Sequence, residues 1–583
     1  MKSKELILAR LKIAENDTTK KFETFNDCDE IYHGRGKRQI GNSQIHNPYS
    51  WANVETITPR MVSKRPTVIF RPRENYDQGQ SEIMQSIHDY WWEKDRVFNK
   101  VVSWVKDSLT YGTGIVKVYW NTEKETVKSY QYDETGNPLV DENGEYVEEE
   151  TEITTFDDPT LENVNIYDFF VDPRATSIQT AEWAIHRFHK TIDELKESGL
   201  YKNLNKLEDY LTNKTERSDS DKKRHEHAFG SQGEDDSTVD KVEVLEMWDK
   251  NGMTVLGARN VVIREKERPF WHGRIPFVRL VDHLVSQEFY GKGEVEPVIK
   301  LQHALNTIQN QSIDNKTQSL MPMWKIYGEI DENELIARPN GVVHMTSATD
   351  IAEKLESQDM TRNAVEEMSN VKSDIQQALG IYDYTKGAES GVNKTATGIG
   401  LVQEAANARF AHKIQLLEES LKEMGTLVIS LYQQFMTSER VIRVVGKNGE
   451  DYVRLKPQDI AGNYDIDVES GSTRPINKEA ERQDIVNLKQ LMGDIQDPEF
   501  QMELDKKILD KYDMKDLEDS LGQAFEKMQA EQQQQQEMQQ QQMQQQMQEN
   551  QLQPQIESQQ NQEQHQREIE KIQAKELAKQ GIL

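Results

Sequence analysis

The chain has 583 residues, of which 35% are hydrophobic and 30% are charged, and its formal net charge is −30. This length predicts about four domain-sized units. The acidity argues against a protein that wraps nucleic acid, because such proteins expose basic patches. It is compatible with a channel that nucleic acid passes through, although solubility alone explains the charge equally well.

Cysteine usage and hydropathy indicate the compartment of the protein and whether a transmembrane helix is expected. Cys28 is the only cysteine, so an intrachain disulfide is excluded and a reducing compartment is expected. No stretch approaches the ~18 consecutive apolar residues of a transmembrane helix. The first residues, MKSKELILARLKIAEND, predict a short amphipathic helix and lack the apolar core of a signal peptide.

Residues 80–160 predict a helix followed by an acidic hairpin. The segment 80–111 is aromatic-rich and helical, and we expect it to pack in a core. Residues 115–120, IVKVYW, predict a strand because β-branched and aromatic residues dominate. Between positions 121 and 158, 13 acidic residues face only Lys124 and Lys128, which indicates solvent-exposed strands. No calcium-loop spacing is present, so a metal site is not expected there.

The rest of the first half alternates short strands with helices and polar loops. Strands are predicted at 165–173, 183–188, 241–248, 254–264 and 277–281, with a leucine-bearing helix between 195 and 211. Residues 212–238 are polar and predict a loop. His225 and His227 lie two residues apart in this loop, and such a pair does not indicate a metal site. Residues 269–277, PFWHGRIPF, form a turn-rich aromatic segment.

A helix with two different faces is predicted after Gly291. Val298, Leu301, Leu305 and Ile308 form one apolar stripe. The opposite face is polar and almost uncharged, which suits either a wet channel or a subunit contact. The residues of that face are Gln302, Asn306, Gln309, Asn310 and Asn315.

Residues 321–357 predict a compact insert between this helix and the next one. Strands are expected at 323–327 and 342–345. Trp324, Tyr327 and Met345 are candidate anchors for a partner, although they would serve equally well in the insert's own small core. A second helix is predicted from about 358 to 379, and a glycine-rich loop follows it.

The most informative element is a very long helix predicted from Thr397 to Met436. Its apolar residues recur at steps of three or four, and no proline interrupts them. About 40 residues at ~1.5 Å each span roughly 60 Å. A helix of that length must pack on something larger than its own local fold. A hairpin at 441–455, a strand at 466–468, helices over 477–528 and a glutamine-rich tract from 529 follow it.

Known catalytic motifs are missing from the sequence. There is no phosphate-binding Gly-x-x-x-x-Gly-Lys loop, no His-Glu-x-x-His and no Gly-x-Ser-x-Gly. We therefore expect neither catalysis nor a cofactor.

The order of elements over 291–436 resembles that of portal proteins, the head-to-tail connectors of tailed bacteriophages, and is closest to the short-tailed (podovirus) type. The passage VNKTATG, residues 392–398, is similar to what such portals carry between loop and long helix. The stretch ANARF ending at Phe410 is similar too. The strand-rich first half resembles the portal wing.

The resemblance implies an α+β, portal-like fold with defined parts. It implies a wing at 1–290, a first stem helix at 291–320, a clip at 321–357, a second stem helix at 358–380, a tunnel loop at 381–397, a long helix with the rest of the wing at 398–475, a helical crown at 476–528 and a glutamine-rich tail at 529–583. The tail is expected either to be disordered or to form a helical barrel.

The resemblance also implies a function. Portals are homo-oligomeric rings, usually of twelve subunits, at one capsid vertex of the virion, and they assemble in the host cytoplasm. Double-stranded DNA passes through them without sequence specificity during packaging and ejection. Partners would be the terminase motor, tail adaptors, and capsid and scaffolding proteins, with no membrane and no catalysis.

The implied site residues fall into three groups. Lys386 and Lys394 would contact DNA phosphates from the tunnel loop, although loop solubility also explains them. Gln302, Asn306, Gln309 and Asn315 would line the channel. Trp324, Tyr327 and Met345 would contact partners from the clip.

Two other classes of function stay open at this stage. One is another virion structural protein, such as a tail adaptor or a scaffold. The other is a nucleic-acid enzyme with an unfamiliar site, which would expose a basic cleft.

Overall fold

The computed structural model divides the chain into two compact units, residues 1–475 and 476–583, rather than the four that its length predicts. The boundary between the two units lies at residue 475, where the predicted wing ends. The structure describes residues 3–35, 43–62, 66, 68–72, 78–131, 139, 147–212, 241–335, 342–355, 361–380, 396–437, 440–446, 449–455, 460, 464–468, 527, 538, 540–544 and 558–576.

Nine α-helices of the described part of the first unit are named here in chain order. They are α1 (Lys4–His33), α2 (Tyr49–Met61), α3 (Gln78–Lys94), α4 (Val97–Tyr111), α5 (Ile192–Glu197), α6 (Leu204–Thr212), α7 (Ile299–Leu320), α8 (Thr361–Leu379) and α9 (Ala396–Phe435).

The strands of the same unit form five antiparallel sheets. They are β1 (Val68–Pro72), β2 (Thr113–Tyr130), β3 (Glu148–Val164), β4 (Phe169–Val171), β5 (Trp183–Thr191), β6 (Lys241–Asp249), β7 (Gly252–Gly257), β8 (Val261–Glu267), β9 (Phe277–Val281), β10 (Trp324–Tyr327), β11 (Ile351–Lys354), β12 (Arg440–Gly446), β13 (Gly449–Leu455) and β14 (Tyr464–Val468). One sheet has the order β4-β5-β6-β7-β8 and another β3-β2-β9. The pairs β1-β14, β10-β11 and β12-β13 are separate. The mixture of helix and strand confirms the predicted α+β class.

The two larger sheets pack face to face between helices. On the outer face of the five-stranded sheet, Ile185 and Leu245 pack with Ile7 and Leu11 of α1. Ala184 and Val244, the alternate residues, point the other way and join the core that contains Ile115 and Phe277 of the three-stranded sheet. Both faces of the sheet are therefore covered at these positions, and most residues of β6 are buried.

A buried ion pair joins the two sheets. The Lys117 ammonium on β2 lies 2.5 Å from Glu246 Oε2 on β6, and both side chains are almost fully buried. Burial alone would raise the pKa of Glu246, but Lys117 and His186 outweigh it and lower that pKa to about 2. The Lys117 ammonium also lies 5.9 Å from the centre of the Phe277 ring. The charge is thus paired within the apolar interface, as burial requires.

The other face of the three-stranded sheet packs on the long helix. Val116 of β2 and Leu280 of β9 share one core with Trp104 of α4 and Leu421 of α9. Along α9, the predicted stripe is buried at Ile414, Leu417, Leu421, Met424, Val428 and Leu431. The sequence prediction of one long helix with a continuous apolar face is confirmed over these positions, and its support is the sheet and the helices α2–α4.

Local signals explain several helix ends. Ser3 caps the start of α1, and Gly34 ends that helix with a φ of 69°. Thr191 and Glu194 form a capping box at α5. The N-terminal helix is 30 residues long, so the prediction of a short helix is wrong.

Two further predictions need correction, and one strand was not predicted. The predicted strand 254–264 is two strands, β7 and β8, because Ala258 and Arg259 turn the chain with φ values of 49° and 56°. The helical segment 80–111 is broken at Arg96, whose φ is 50°. Strand β1 has no counterpart among the predictions, and it pairs with β14 from Val68↔Val468 to Pro72↔Tyr464.

The described part of the second unit is helical at 540–544 and 558–576, and its side chains there are exposed. Most of 476–557 lies outside the described residues, and with it the predicted crown. Within the described residues of the whole chain, no helix is long and apolar enough to cross a membrane.

Candidate channel and docking elements

The segment that leads into α7 rests on the C-terminal end of α4 through glycine contacts. A Cβ atom on Gly112, whose φ is 86°, would lie 2.5 Å from the carbonyl oxygen of Gly291. A Cβ atom on Gly293 would lie 2.5 Å from the Leu109 carbonyl oxygen. The backbones therefore touch without side chains between them. The Glu294 N–H donates to Leu109 O at 2.7 Å and continues this contact.

A buried lysine fixes the long helix to the same junction. Lys413 of α9 donates to Asp282 Oδ1, and to Glu294 Oε1 at 2.6 Å. His283 Nε2 lies 3.1 Å from the ammonium nitrogen and 3.2 Å from Glu294 Oε1. Relative exposure is 5% for Lys413, 1% for Asp282 and 4% for Glu294. We call Asp282, His283, Glu294 and Lys413 the lysine cluster.

The carboxyl groups of the lysine cluster differ in their titration. Burial raises the pKa of Asp282 to about 6, against the opposing effect of Lys413. Burial would also raise the pKa of Glu294, but hydrogen bonds with His283 and Lys413 outweigh it and lower that pKa. Asp282, His283 and Glu294 have the residue types of a metal site, with ligand atoms within 4.8 Å of one another. The Lys413 ammonium already supplies one positive charge to the two carboxyl groups.

A row of side chains on α7 binds the extended segment 43–47. Gln302, Asn306, Asn310 and Asp314 recur every four residues, and we call them the amide ladder. The N–H groups of Ser43, Ile45 and Asn47 donate to Asp314 Oδ1 (3.0 Å), Asn310 Oδ1 (2.8 Å) and Asn306 Oδ1 (3.0 Å), in that order. In return, Asn310 Nδ2 donates to Ile45 O at 3.1 Å and Gln302 Nε2 to Asn47 O at 2.8 Å.

The spacing of the amide ladder explains the fit. Four helical residues advance ~6.0 Å along the axis. Two residues of an extended chain advance ~6.6 Å. Successive side chains of the ladder therefore meet every second residue of segment 43–47. The ladder binds backbone atoms in the manner of a neighbouring strand.

The ladder overturns part of the predicted channel lining. Gln302 is 0% and Asn306 7% exposed, because segment 43–50 covers them. The prediction that these two residues line a channel is therefore wrong for the folded chain. Gln309 is half-buried and accepts a hydrogen bond from Asn47 Nδ2 at 3.4 Å, and Asn315 is also half-buried. The solvent-facing side of α7 instead carries Lys300, His303, Gln311 and Gln318.

The third side of α7 packs against α8. Val298 and Leu305 form a small core with Val371 and Ile375, and Leu301 and Ile308 pack against it. The predicted apolar stripe is therefore the contact between the two helices. Gln376 Nε2 of α8 also donates to the Tyr49 hydroxyl of α2 at 2.8 Å. This hydrogen bond connects the α7–α8 pair to α2.

The insert between α7 and α8 exposes much apolar surface. Its two-stranded sheet pairs Trp324↔Lys354 through Tyr327↔Ile351. Trp324 is half-buried, with the Lys354 ammonium 5.0 Å from its ring centre. Tyr327 is 50% and Met345 53% exposed, and the nearby exposed residues Met321 and Met323 are 79% and 71% exposed. These side chains are not the core of the insert and are available for a partner.

The second strand of the insert is not where the sequence predicts it. Residues 342–345 form no strand, and β11 lies at Ile351–Lys354 instead. His344 is held by Glu334, which accepts from its backbone N–H at 2.5 Å. Asp350 then turns the chain towards β11 by accepting from the Ser347 N–H at 2.7 Å.

Lys386 and Lys394 lie outside the described residues, as does the predicted tunnel loop. The helix α9 is described from Ala396 onwards, and its side chains from Phe410 onwards.

The lysine cluster was not predicted from the sequence, and the amide ladder was predicted to face a channel or a subunit. Lys413 stands beside Phe410, Ile414 and Leu417 on the apolar side of the predicted helix, and a lysine there signals a buried ion pair. The four-residue period of Gln302, Asn306 and Asn310 was visible. Its partner, segment 43–47, was not, because it is more than 250 positions away in sequence.

The comparison with known families agrees with this arrangement of elements. The model of the family described as phage SU10 portal protein matches residues 15–553. The chain belongs to this portal protein family. The match includes α7, the insert, α8 and α9, and so covers every element from which the resemblance was inferred. For this portal protein, α7 and α8 with the insert between them are the candidate channel and docking elements.

We predict that Lys413→Met destabilises the portal protein by about 3–5 kcal/mol near neutral pH, because it leaves two buried carboxyl groups without their cation. In this variant the folded-state pKa values of Asp282 and Glu294 rise above their unfolded values. The loss of stability is complete above the raised folded-state pKa values and vanishes below the unfolded pKa of about 4. Thermal unfolding at fixed protein concentration should therefore show a gap to the parent that narrows as the pH falls from 7 towards 4.

The matched control for this variant is Lys292→Met, since Lys292 is an exposed lysine of the same junction. It should unfold like the parent at each pH. A Lys413→Met deficit that is the same at every pH would contradict the account of the cluster.

Asn310→Leu should release segment 43–47 from α7. The substitution leaves both the N–H and the carbonyl of Ile45 without their partner, at a cost of about 1–3 kcal/mol per orphaned group. Hydrogen exchange should accelerate at the Ile45 amide. Gln311→Leu, at the exposed neighbouring position, should leave that amide protected. Equal exchange in the two variants would refute the role of the ladder.

Proposed function

We propose that this portal protein forms the ring-shaped channel at one capsid vertex through which double-stranded DNA is packaged and later ejected. The observation that carries the proposal is the family match over residues 15–553, joined to the order helix, insert, helix and long helix. Portal proteins are structural, and the proposal assigns the chain no catalytic step and no cofactor. The ring would have about twelve copies, as the family resemblance implies.

The division into parts is proposed along with the function. Residues 1–290 and 398–475 would form the wing, 291–320 and 358–380 the stem, 321–357 the clip, 381–397 the tunnel loop, 476–528 the crown and 529–583 the tail. The amide ladder and the lysine cluster support this division, because they tie α7 and α9 to the sheet-containing body at one junction.

The bore would be lined by polar groups that carry little positive charge. Duplex DNA has one negative charge per ~1.7 Å of axis, so a basic wall would hold it in place. The exposed residues of α7 are His303, Gln311 and Gln318 together with the lysines Lys300 and Lys316, and they are more accessible to a bore than the buried Gln302 and Asn306. Gln309 and Asn315 remain candidates at its margin.

Partner binding is assigned to the clip. The exposed Met321, Met323, Tyr327 and Met345, with the half-buried Trp324, give it the apolar surface that protein interfaces use. The terminase motor would dock there during packaging, and tail adaptors would take its place afterwards. Capsid and scaffolding proteins would contact the wing, which places the protein in the virion after assembly in the host cytoplasm.

Other virion structural proteins fit less well. A scaffold would be mostly helical, whereas this chain has two large antiparallel sheets. A tail adaptor or a nucleic-acid enzyme is disfavoured by a portal family match that spans most of the chain.

Electron microscopy of the purified protein in negative stain tests the proposal directly. Rings with a central hole are the expected result. Particles that stay monomeric at every protein and salt concentration would contradict it.

Replacing both Lys386 and Lys394 with Ala should leave ring assembly intact but change the packaging or retention of DNA, because two phosphate contacts are lost. The measurement is the length of packaged DNA in phage that carry the variant. Lys12→Ala with Lys20→Ala, two exposed lysines of α1 in the proposed wing, serves as a charge-matched control. An unchanged DNA length in the loop variant would remove the role of these lysines.

A further inference from the structure

The hairpin of β2 and β3 extends well beyond the body of the first unit. Past Trp120, its paired residues run from Asn121↔Asp158 to Tyr130↔Glu148. Ten residues at ~3.3 Å each give this part a length of roughly 33 Å. We call residues 121–130 and 148–157 the acidic ribbon, since Lys124 and Lys128 are its only basic residues.

The two faces of the acidic ribbon differ. Lys124 and Lys128 lie on one face, where they approach Glu152 (3.4 Å) and Glu150 (3.9 Å). Side chains alternate along a strand, so Glu123, Glu125 and Val127 share the other face. Ile153 is on that face too, because it pairs with Glu125. This second face therefore combines carboxylates with aliphatic groups, and Val127 is 40% and Ile153 48% exposed.

A two-stranded ribbon of this kind is only marginally stable in isolation. A partner for its second face would have to offer positive charge together with an apolar group. In a chain with a net charge of −30, few surfaces have that character.

The turn at residues 268–274, here called the tryptophan turn, offers both positive charge and an apolar group. Trp271 is 71% exposed, which is unusual for so large an apolar side chain. Arg268 and Arg274, both exposed, stand on either side of it in sequence. Tryptophan and arginine are the residues most enriched at the energetic centres of interfaces.

The backbone of the tryptophan turn is held in place from within. The Trp271 N–H donates to Gln434 Oε1 at 2.9 Å, and Gln434 Nε2 donates to Pro269 O at 2.9 Å. The Phe270 ring stacks on Trp248, with ring centres 5.5 Å apart and an interplanar angle of 11°. The exposed indole is thus presented on a fixed support, which lowers the entropy cost of binding.

The ribbon and the turn start from the same place in the chain. Phe435, at the end of α9, lies 5.5 Å from Trp120 at the base of the ribbon and 6.3 Å from Phe270 of the turn, between ring centres. The ribbon leaves this place and extends for about 33 Å. In a ring, the neighbouring copy repeats the same place one subunit further on, and the ribbon has the length to bridge a subunit spacing of up to about 33 Å.

We propose that the acidic ribbon of one copy of this chain binds the tryptophan turn of the next copy in the ring. Trp271 would pack on Val127 and Ile153, and Arg268 and Arg274 would pair with Glu123 and Glu125. The contact is head-to-tail, so it closes around a ring and leaves no ribbon without a turn. This inference rests on the proposed ring.

Crosslinking between two differently tagged chains tests the contact. One chain carries Ile153→Cys on the ribbon, and the other carries Glu267→Cys, at an exposed position directly before the turn. Cys28 can stay, because it is buried and burial raises the pKa of its thiol. A short bis-maleimide reagent should join the two chains when they assemble together.

Thr126→Cys is the matched control for the ribbon, since Thr126 lies at the same distance along it on the opposite face. It should crosslink severalfold less than Ile153→Cys. Rings that form without this difference, or without any crosslink, would overturn the inference and leave the proposed function intact. Failure to form rings at all would overturn both.

Charge reversal gives a second, independent measurement. Glu123→Lys with Glu125→Lys in the ribbon should reduce the crosslink severalfold, and so should Arg268→Glu with Arg274→Glu in the turn. A chain that carries both pairs should recover it, because every contact in the ring then has the opposite polarity. An effect of the turn variants without this recovery would show that the turn serves another partner, such as nucleic acid, and would refute the proposal.

Discussion

The ammonium group of Lys413 joins three segments that are far apart in sequence. It pairs with Asp282 at the end of β9 and with Glu294 ahead of α7, while it is itself part of α9. Because all three charged side chains are buried, none of them can turn to water if the others move. The relative placement of sheet, first stem-like helix and long helix is therefore set by one ion cluster, with the close backbone contact of Gly112 and Gly291 beside it.

Around this junction, polar contacts are used where an apolar core would be expected. The amide ladder replaces side-chain packing on one face of α7, and Lys117 with Glu246 crosses the interface between the sheets. Buried polar contacts of this kind have strict geometry, whereas apolar surfaces can slide. For the proposed DNA channel, a scaffold that resists sliding would be of use.

Sequence periodicity was a good guide to the elements that bury one continuous face. The long helix and the strands at 183–188 and 241–248 were predicted from local pattern alone, because their packing is repeated along their length. The observed strands extend to 191 and 249. The strand at 351–354 was misplaced because Val342 and Val343 have strand propensity but stay 61% and 37% exposed. What decides that region is a turn held by Asp350, whose effect propensity does not capture.

The candidate site was harder to predict for the same physical reason. A stripe of amide side chains on a helix suits water, a subunit or a peptide backbone equally well, and only the position of segment 43–47 decides among them. Lys413 illustrates the opposite case, since a charged residue on an apolar face has few explanations. The type of a residue indicated its role where the local pattern already showed that its helix face is buried. It was ambiguous where the contacting segment is distant in sequence.

The ladder has a consequence for how this family can diverge. Gln302, Asn306 and Asn310 bind backbone atoms of residues 45 and 47, so the identity of the Ile45 side chain matters little to the contact. Substitutions at Ile45 should accumulate freely among relatives, while the amides of the helix should be retained. A proline at position 45 or 47 is the exception, since it would delete an N–H that the ladder binds. Sequence drift would thus be uneven across the two sides of a single interface.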